Sequence, residues 1–307
     1  MNVGFIGLGN MGGPMASWVI KAGLPLVVHD IREEAASPLL EQGAVWANSP
    51  AEAASQSDIV CVCVPGPPEM EAVSLGPNGA VEGLNPGAVF IDHTTNSPET
   101  VRAVGEAVRQ RGAHMLDAPL DGGREGALAG EITLFVGGGQ EAMERARPVF
   151  ESYTKSVVWV GELGAGAVTK IVHNALAMGI DLLLAECMTL GVKAGVSTTR
   201  LVEAFSQGCI VNENMTFTKR LPQTLFKGDF TARFALKLAH KDFGLAGELS
   251  TRHGVPTRII DLCQAELLEA MNRGWGDYDR TISSTLQEER SQVQLRTGDS
   301  EPGVGDP

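Results

Sequence analysis

Val3-Gly4-Phe5-Ile6-Gly7-Leu8-Gly9-Asn10-Met11-Gly12-Gly13-Pro14-Met15-Ala16 is the stretch from which the rest of the chain is read. A short apolar run at Val3 to Ile6 has the composition of a buried strand, and it enters three glycines spaced Gly-x-Gly-x-x-Gly before the apolar period lengthens to that of a helix. Such a turn lets backbone N–H groups approach a phosphate at the positive end of the helix. Glycine-rich turns also occur for conformational reasons alone, but the strand–turn–helix context favours a dinucleotide site. Gly7, Leu8, Gly9, Asn10, Met11 and Gly12 are its candidate residues.

The next strand, Leu26 to His29, ends in Asp30, at the distance downstream where a carboxylate can accept both ribose hydroxyls of an adenosine. An acid there repels a 2′-phosphate, which favours NAD, while Arg32 keeps NADP as the alternative. A helix N-cap is the competing structural reading of Asp30.

Outward from this start, Val- and Ile-rich runs alternate with helical patterns, with strands expected near residues 2–6, 26–30, 58–64, 88–92, 113–117, 132–136 and 156–160. This is the pattern of an α/β Rossmann-like domain with a parallel sheet over residues 1–163. Gly137-Gly138-Gly139 reads as turn punctuation between two of the strands. From Gly164 the texture changes. Residues 165–195 run without proline and carry Ile171, Ala175, Met178, Leu182 and Ala185 at helical spacing. Further helices are expected near 197–207, 212–224, 232–252 and 256–273, which makes residues 164–294 an all-α C-terminal domain. Residues 295–307, rich in Gly, Pro and Asp, are expected to form a disordered tail.

The 307 residues include 24 Lys and Arg against 37 Asp and Glu, a formal charge of −13 that argues against nucleic acid or an anionic membrane as a partner. The five cysteines have neither disulfide-framework nor zinc-knuckle spacing, and no leader or spanning run is apparent. A soluble cytoplasmic protein without a bound metal is the expectation.

Four separated motifs then resemble the β-hydroxyacid dehydrogenases. Phe5 to Ala16 looks like that family's opening signature. Asp117-Ala118-Pro119-Leu120-Asp121-Gly122-Gly123, followed by Gly126, Ala127 and Gly130, resembles its substrate loop. Gly164-Ala165-Gly166 with Lys170 and Asn174 looks like its catalytic helix, and Phe234 to Ala246, with Lys241-Asp242, looks like its C-terminal motif. The resemblance implies an active site in the cleft between a Rossmann domain and a helical domain. It places Val64, Pro65 and Thr95 along the dinucleotide and Lys241 at the nicotinamide end. It also suggests a homodimer or homotetramer built on the helical domain.

Under that reading the protein is an NAD(P)-dependent oxidoreductase that interconverts a small β-hydroxy acid, or a related hydroxyl compound, and its carbonyl form. Lys170 and Asn174 lie four apart and share a helix face. An ammonium can protonate the carbonyl oxygen as hydride arrives, a neutral amine can take the alcohol proton in reverse, and the Asn174 amide can hold the hydroxyl. Burial among Ile171 and Val172, or a second cation such as Lys241, would lower the lysine pKa. Lys237 shares a face with Lys241 and is left open between site and solvated edge. His93, His173 and His240 have no spaced partner and read as structural.

One residue departs from the pattern. Asp121 stands where the family usually has a serine that helps bind the substrate carboxylate. An ionised aspartate about 4 Å from a carboxylate would cost roughly 4 kcal/mol at an effective dielectric near 20. Either Asp121 is neutralised, with Arg124 and Arg233 as candidate cations, or the substrate presents an amine or hydroxyls there, or Asp121 turns away. Asp121, Gly122, Gly123 and Asn174 are the candidate substrate residues. An imine reductase, which shares the fold but usually lacks the lysine, and a non-enzymatic dinucleotide-binding assembly protein are the competing functions.

Overall fold

All seven expected strands form in the computed structural model, which describes residues 1–193, 195–207, 219–253 and 257–297. They are β1 (Val3–Ile6), β2 (Leu26–His29), β4 (Ile59–Val62), β5 (Val89–Asp92), β6 (His114–Asp117), β8 (Ile132–Gly138) and β9 (Thr154–Gly161). Two further strands, β3 (Val45–Trp46) and β7 (Leu120–Asp121), have two residues each and are too short to carry a period. The order is β3-β2-β1-β4-β5-β6-β8-β7, with β9 paired to β8.

Strands β1 to β6 are parallel, and successive side chains enter opposite faces of the sheet. Val3, Phe5, Ile59, Cys61, Val89 and Ile91 pack on one side, and Ile6, Val60, Val62 and Phe90 on the other. Both faces are covered, so the strands are apolar throughout instead of alternating.

The expectation of a parallel sheet needs one correction, because β8 runs antiparallel to both β6 and β7. Only residues 122–131 separate β7 from β8, and a parallel return needs a crossover of roughly a dozen residues or more. The glycine run is also not a turn. Gly137 and Gly138 lie inside β8, and a Cβ on Gly137 would sit 2.4 Å from Asp117 Oδ1.

Residues 1–171 form one compact unit, and the second begins at Val172. The long helix Ala165–Lys193 carries the expected apolar stripe, with Ile171, Ala175, Met178 and Ala185 buried. In the second unit Met178, Leu236, Phe243, Leu267 and Leu286 form one cluster, and Leu184, Met188, Leu201, Phe226 and Leu295 another. The helices Thr198–Gln207 and Arg258–Asn272 match expectation.

The helix expected from residue 232 starts instead at Leu236 and runs to His253. Asp279 Oδ2 accepts the backbone N–H groups of Arg233 and Phe234 at 3.0 Å each and holds that segment as a loop. Of the helix expected at 212–224, residues 212–218 lie outside the described residues and Leu221–Gln223 forms a single turn. The helix Ser284–Ser291, preceded by a 3-10 turn at Arg280–Ser283, was not expected from the sequence. Its entry is anchored by Arg280, whose guanidinium meets Asp181 of the long helix at 2.5 Å with both groups buried. The start of the expected tail is ordered as well, since Leu295 is fully buried and Glu288 accepts its N–H. The rest of that tail, 298–307, lies outside the described residues. Among the described residues no helix is long and apolar enough to cross a membrane.

His93 illustrates how the first core is closed. Its ring lies against Phe5, Phe150 and Tyr153, with Nδ1 on the Ala118 carbonyl oxygen at 2.8 Å and Nε2 on the Tyr153 hydroxyl at 3.0 Å. Burial lowers the imidazole to about 4, against its backbone hydrogen bond. A depressed histidine pKa contributes stability that is complete above the unfolded value of about 6.5 and is lost as pH falls toward 4. We expect the stability gap between wild type and His93→Gln to shrink by about 2 kcal/mol between pH 7.5 and pH 5. Urea midpoints at the two pH values measure it, and an unchanged gap would show that His93 does not carry the acid sensitivity.

Candidate active site

The three motif glycines answer to different demands. Gly7 has φ +88° and a Cβ there would lie 2.3 Å from the Cys63 carbonyl oxygen, while a Cβ on Gly12 would lie 1.9 Å from the Gly7 carbonyl oxygen. Both are required by the turn itself. Gly9 has no heavy atom within 4 Å of an added Cβ, so nothing in the fold requires glycine at that exposed position. Open space over a backbone that leads into the helix Gly12–Lys21, which has no side-chain N-cap bond and no acid in its first turn, suits the close approach of a phosphate. Leu8 is buried, Asn10 is exposed and Met11 is half-buried beside it.

Asp30 is tied to this turn. Its Oδ2 accepts the Leu8 N–H at 2.7 Å, and its Oδ1 accepts the Arg32 N–H at 2.9 Å, with Arg32 Nε 3.8 Å away. It does not cap the next helical turn, Glu33–Ala36, whose N-cap is Arg32. Each carboxylate oxygen has a second lone pair, so hydroxyls can still be accepted. On the neighbouring strand ends, the Val64 N–H meets Thr94 Oγ1 at 3.2 Å, Pro65 is exposed and Thr95 is half-buried.

Two buried carboxylates, Asp92 and Asp117, sit opposite each other at the ends of β5 and β6. Burial pushes Asp92 up to about 7, against hydrogen bonds from Asn96 and Thr94. Burial likewise pushes Asp117 up to about 6, against the N–H groups that it accepts. Those groups belong to the start of the long helix: Gly164 N to Oδ1 at 2.8 Å, Ala167 N to Oδ2 at 2.7 Å, and Gly166. A Cβ on Gly166 would fall 2.5 Å from the Phe135 carbonyl oxygen, so the helix is seated directly on the sheet.

One turn further along is Lys170. It is buried, and its Nζ stands 3.5 Å from Asp121 Oδ1. Asp121 is on β7 and opens into Gly122 and Gly123, both exposed and left-handed. The charge on Asp121 therefore has a nearby cation, but it is neither of those expected. Arg124 is exposed with no ion pair among those described, and Arg233 pairs with Asp229. Of the two neighbours expected to bury the lysine, Ile171 is buried and Val172 is exposed.

In the second unit Asp242 gathers two candidates. Asn174 Nδ2 donates to Asp242 Oδ2 at 2.8 Å, and Lys241 Nζ lies 3.0 Å from Asp242 Oδ1. With one of its two amide N–H groups committed to Asp242, Asn174 is held so that it can present its carbonyl oxygen as an acceptor. Lys237 pairs with exposed Asp277 at 2.7 Å and belongs to a solvated edge. His240 faces Gln264, and His173 Nδ1 lies 3.5 Å from Asn174 Oδ1. The motif spacings do not reveal the roles of Asp117 and Asp242; for Asp117 the signal is an acid at a strand end beside an unfilled helix N-terminus.

The family profile of the NAD binding domain of 6-phosphogluconate dehydrogenase matches residues 2–161. That of the NAD-binding domain of NADP-dependent 3-hydroxyisobutyrate dehydrogenase matches residues 164–286. The NAD-dependent L-serine dehydrogenase of Pseudomonas aeruginosa is 33% identical over 288 residues, 92% of this chain and 97% of that protein. The 3-hydroxyisobutyrate dehydrogenase of the same organism is 36% identical over 249 residues, 80% of this chain and 84% of the relative. Among solved structures, a 3-hydroxyisobutyrate dehydrogenase from Salmonella typhimurium superposes with TM-score 0.83 at 27% identity, covering 93% of this chain and 99% of its own. An imine reductase from Pseudomonas sp., at 18% identity and TM-score 0.60, is more distant and shares the fold alone.

The contrast between the glycines is testable. Gly9→Ala should leave the melting temperature within about 2 °C, as expected of an unobstructed surface change, and weaken NAD binding about tenfold or more. Gly7→Ala should lower the melting temperature markedly, through strain and the backbone clash. Thermal unfolding and fluorescence titration of NADH read the two effects, and unchanged binding in Gly9→Ala would remove that glycine from the cofactor site.

Proposed function

The chain belongs to the β-hydroxyacid dehydrogenase family, and from that premise we propose that Lys170 is the general acid and base of an NAD(P)-dependent interconversion of a small β-hydroxy acid, or a related hydroxyl compound, and its carbonyl form. The observation that carries the assignment is a buried lysine on the first turns of a helix that Asp117 locks to the sheet, beside the loop Asp121-Gly122-Gly123. Buried lysine is costly unless paired, and its retention here fits a proton-transfer role.

Residues Gly7 to Gly12 would hold the pyrophosphate, Asp30 the adenosine ribose, and Val64, Pro65 and Thr95 the path between. Asp30 favours NAD over NADP, because a carboxylate at 9% exposure that already receives the Leu8 N–H opposes a second phosphate. When bound, a reduced nicotinamide supplies the hydride. The chain's own side chains do the rest. As the carbon–hydrogen bond forms, the π pair of the carbonyl moves onto oxygen, which takes a proton from Lys170 Nζ, leaving the neutral amine to be reprotonated by water. In the oxidative direction the amine takes the hydroxyl proton. Asn174 would accept or position that hydroxyl through its carbonyl oxygen, Gly122 and Gly123 would offer backbone N–H groups to the substrate, and Lys241 would serve the nicotinamide end.

We assign dinucleotide binding to residues 1–163 and substrate binding and assembly to residues 164–294. Exposed apolar pairs one turn apart on helices, Val172 with Leu176 and Ile259 with Leu262, support a homodimer or homotetramer. Light scattering should return at least twice the 32.4 kDa chain mass, and a stable monomer would end the assembly reading. Free thiols at Cys61 and Cys63 favour a reducing cytoplasm as the setting.

Lys170→Ala should lower turnover by about a hundredfold or more, the usual scale of a lost general acid or base, while the NAD dissociation constant stays within about twofold. NADH formation over a panel of 3-hydroxy acids, hydroxy amino acids, sugar acids and polyols measures this and identifies the substrate class. Near wild-type turnover would overturn the proton role.

A further inference from the structure

We propose that Asp121 is a built-in counter-ion that holds Lys170 in its ammonium form and so moves to higher pH the range in which Lys170 can accept the alcohol proton. The inference rests on Lys170 being the general acid and base. Its geometric basis is the pair itself, Lys170 Nζ to Asp121 Oδ1 at 3.5 Å.

Two strands away from Asp121 in the sheet, on β6, Asp117 commits both oxygens to the backbone at the start of the helix, and Asp92, opposite it on β5, is enclosed by Thr94 and Asn96. On the lysine's own helix His173 follows three residues on and Asn174 four. Charges on Asp117 and Asp121 would both favour the ammonium, and Asp121 is within ion-pair distance of its nitrogen.

The lysine side chain is 10% exposed and that of Asp121 42% exposed, so the pair is anchored on a buried cation and an anion that water still reaches. Even at the dielectric of water, unit charges about 4 Å apart shift an ionisation equilibrium roughly fivefold, about 0.7 pH unit. The sign is fixed. A neighbouring anion raises the lysine pKa, so the neutral amine needed for oxidation appears at higher pH, while the ammonium needed for reduction persists. The same pairing relieves the repulsion that a bare aspartate would exert on a substrate carboxylate, since Lys170 screens it.

The experiment is an NMR titration of lysine-labelled ([13C]ε) full-length protein, with the Lys170 resonance assigned by its loss in Lys170→Ala. Wild type is compared with Asp121→Ser and Asp121→Asn, which remove the charge with different shapes. Both variants should titrate about 0.7 pH unit lower or more, and the acid limb of kcat/KM for alcohol oxidation should move down with them. A merely structural role for Asp121 would change rates without moving either midpoint. Midpoints that stay put in both variants overturn the counter-ion. If they move while Lys170→Ala remains active, the counter-ion stands and the general acid–base reading falls. If they do not move and Lys170→Ala is inactive, the acid–base reading stands alone.

Discussion

The Asp117 carboxylate is the contact on which the first unit's geometry depends. It closes β6, and its two oxygens accept N–H groups from Gly164, Gly166 and Ala167 across 47 residues or more of chain. A helix of 29 residues begins with unfilled donors and a positive dipole end, and a carboxylate placed there satisfies both. Burial raises the cost of that charge, which is why its pKa stands near 6 and not far below the ordinary range. The contact requires glycine on both sides: Gly166 on the helix and Gly137 on β8 each leave room for Asp117 or the backbone beside it.

Two consequences follow for the site. The helix start is fixed relative to the sheet, so Lys170 is delivered at a set height beside it. The strand that bears Asp117 turns at Pro119 into β7, so Asp121 is delivered from the same carboxylate by the other direction of chain. The Lys170–Asp121 pair is the meeting of those two paths, and its distance is set by the backbone more than by the mutual attraction of two partly solvated groups. In the second unit Asp242 and Asp279 act in a similar manner, one joining Asn174 to Lys241 and the other shaping the loop before Leu236.

The dinucleotide turn separates fold from ligand within one motif. Gly7 and Gly12 are held by contacts with Cys63 and with each other's backbone, and would be needed in an apo protein. Gly9 faces open space and answers only to what binds there. Asp30 works on both sides of this division, since it anchors Leu8 and retains lone pairs for a ribose.

The sequence by itself determined the strand–turn–helix opening, seven strands, the long helix with its apolar stripe, and the family, because each of these is written in spacings of a few residues. Helix and strand periods are local properties, and glycine spacing is a local demand. What the tertiary structure decided lies between residues far apart in the chain. The antiparallel course of β8 follows from the length of its connection, the burial of Leu295 from a pocket formed by distant helices, and the late start of the helix at Leu236 from Asp279. The cation beside Asp121 was sought three residues away at Arg124 and found at Lys170, because charge pairing depends on distance in space, and only the packing of the helix on the sheet sets that distance.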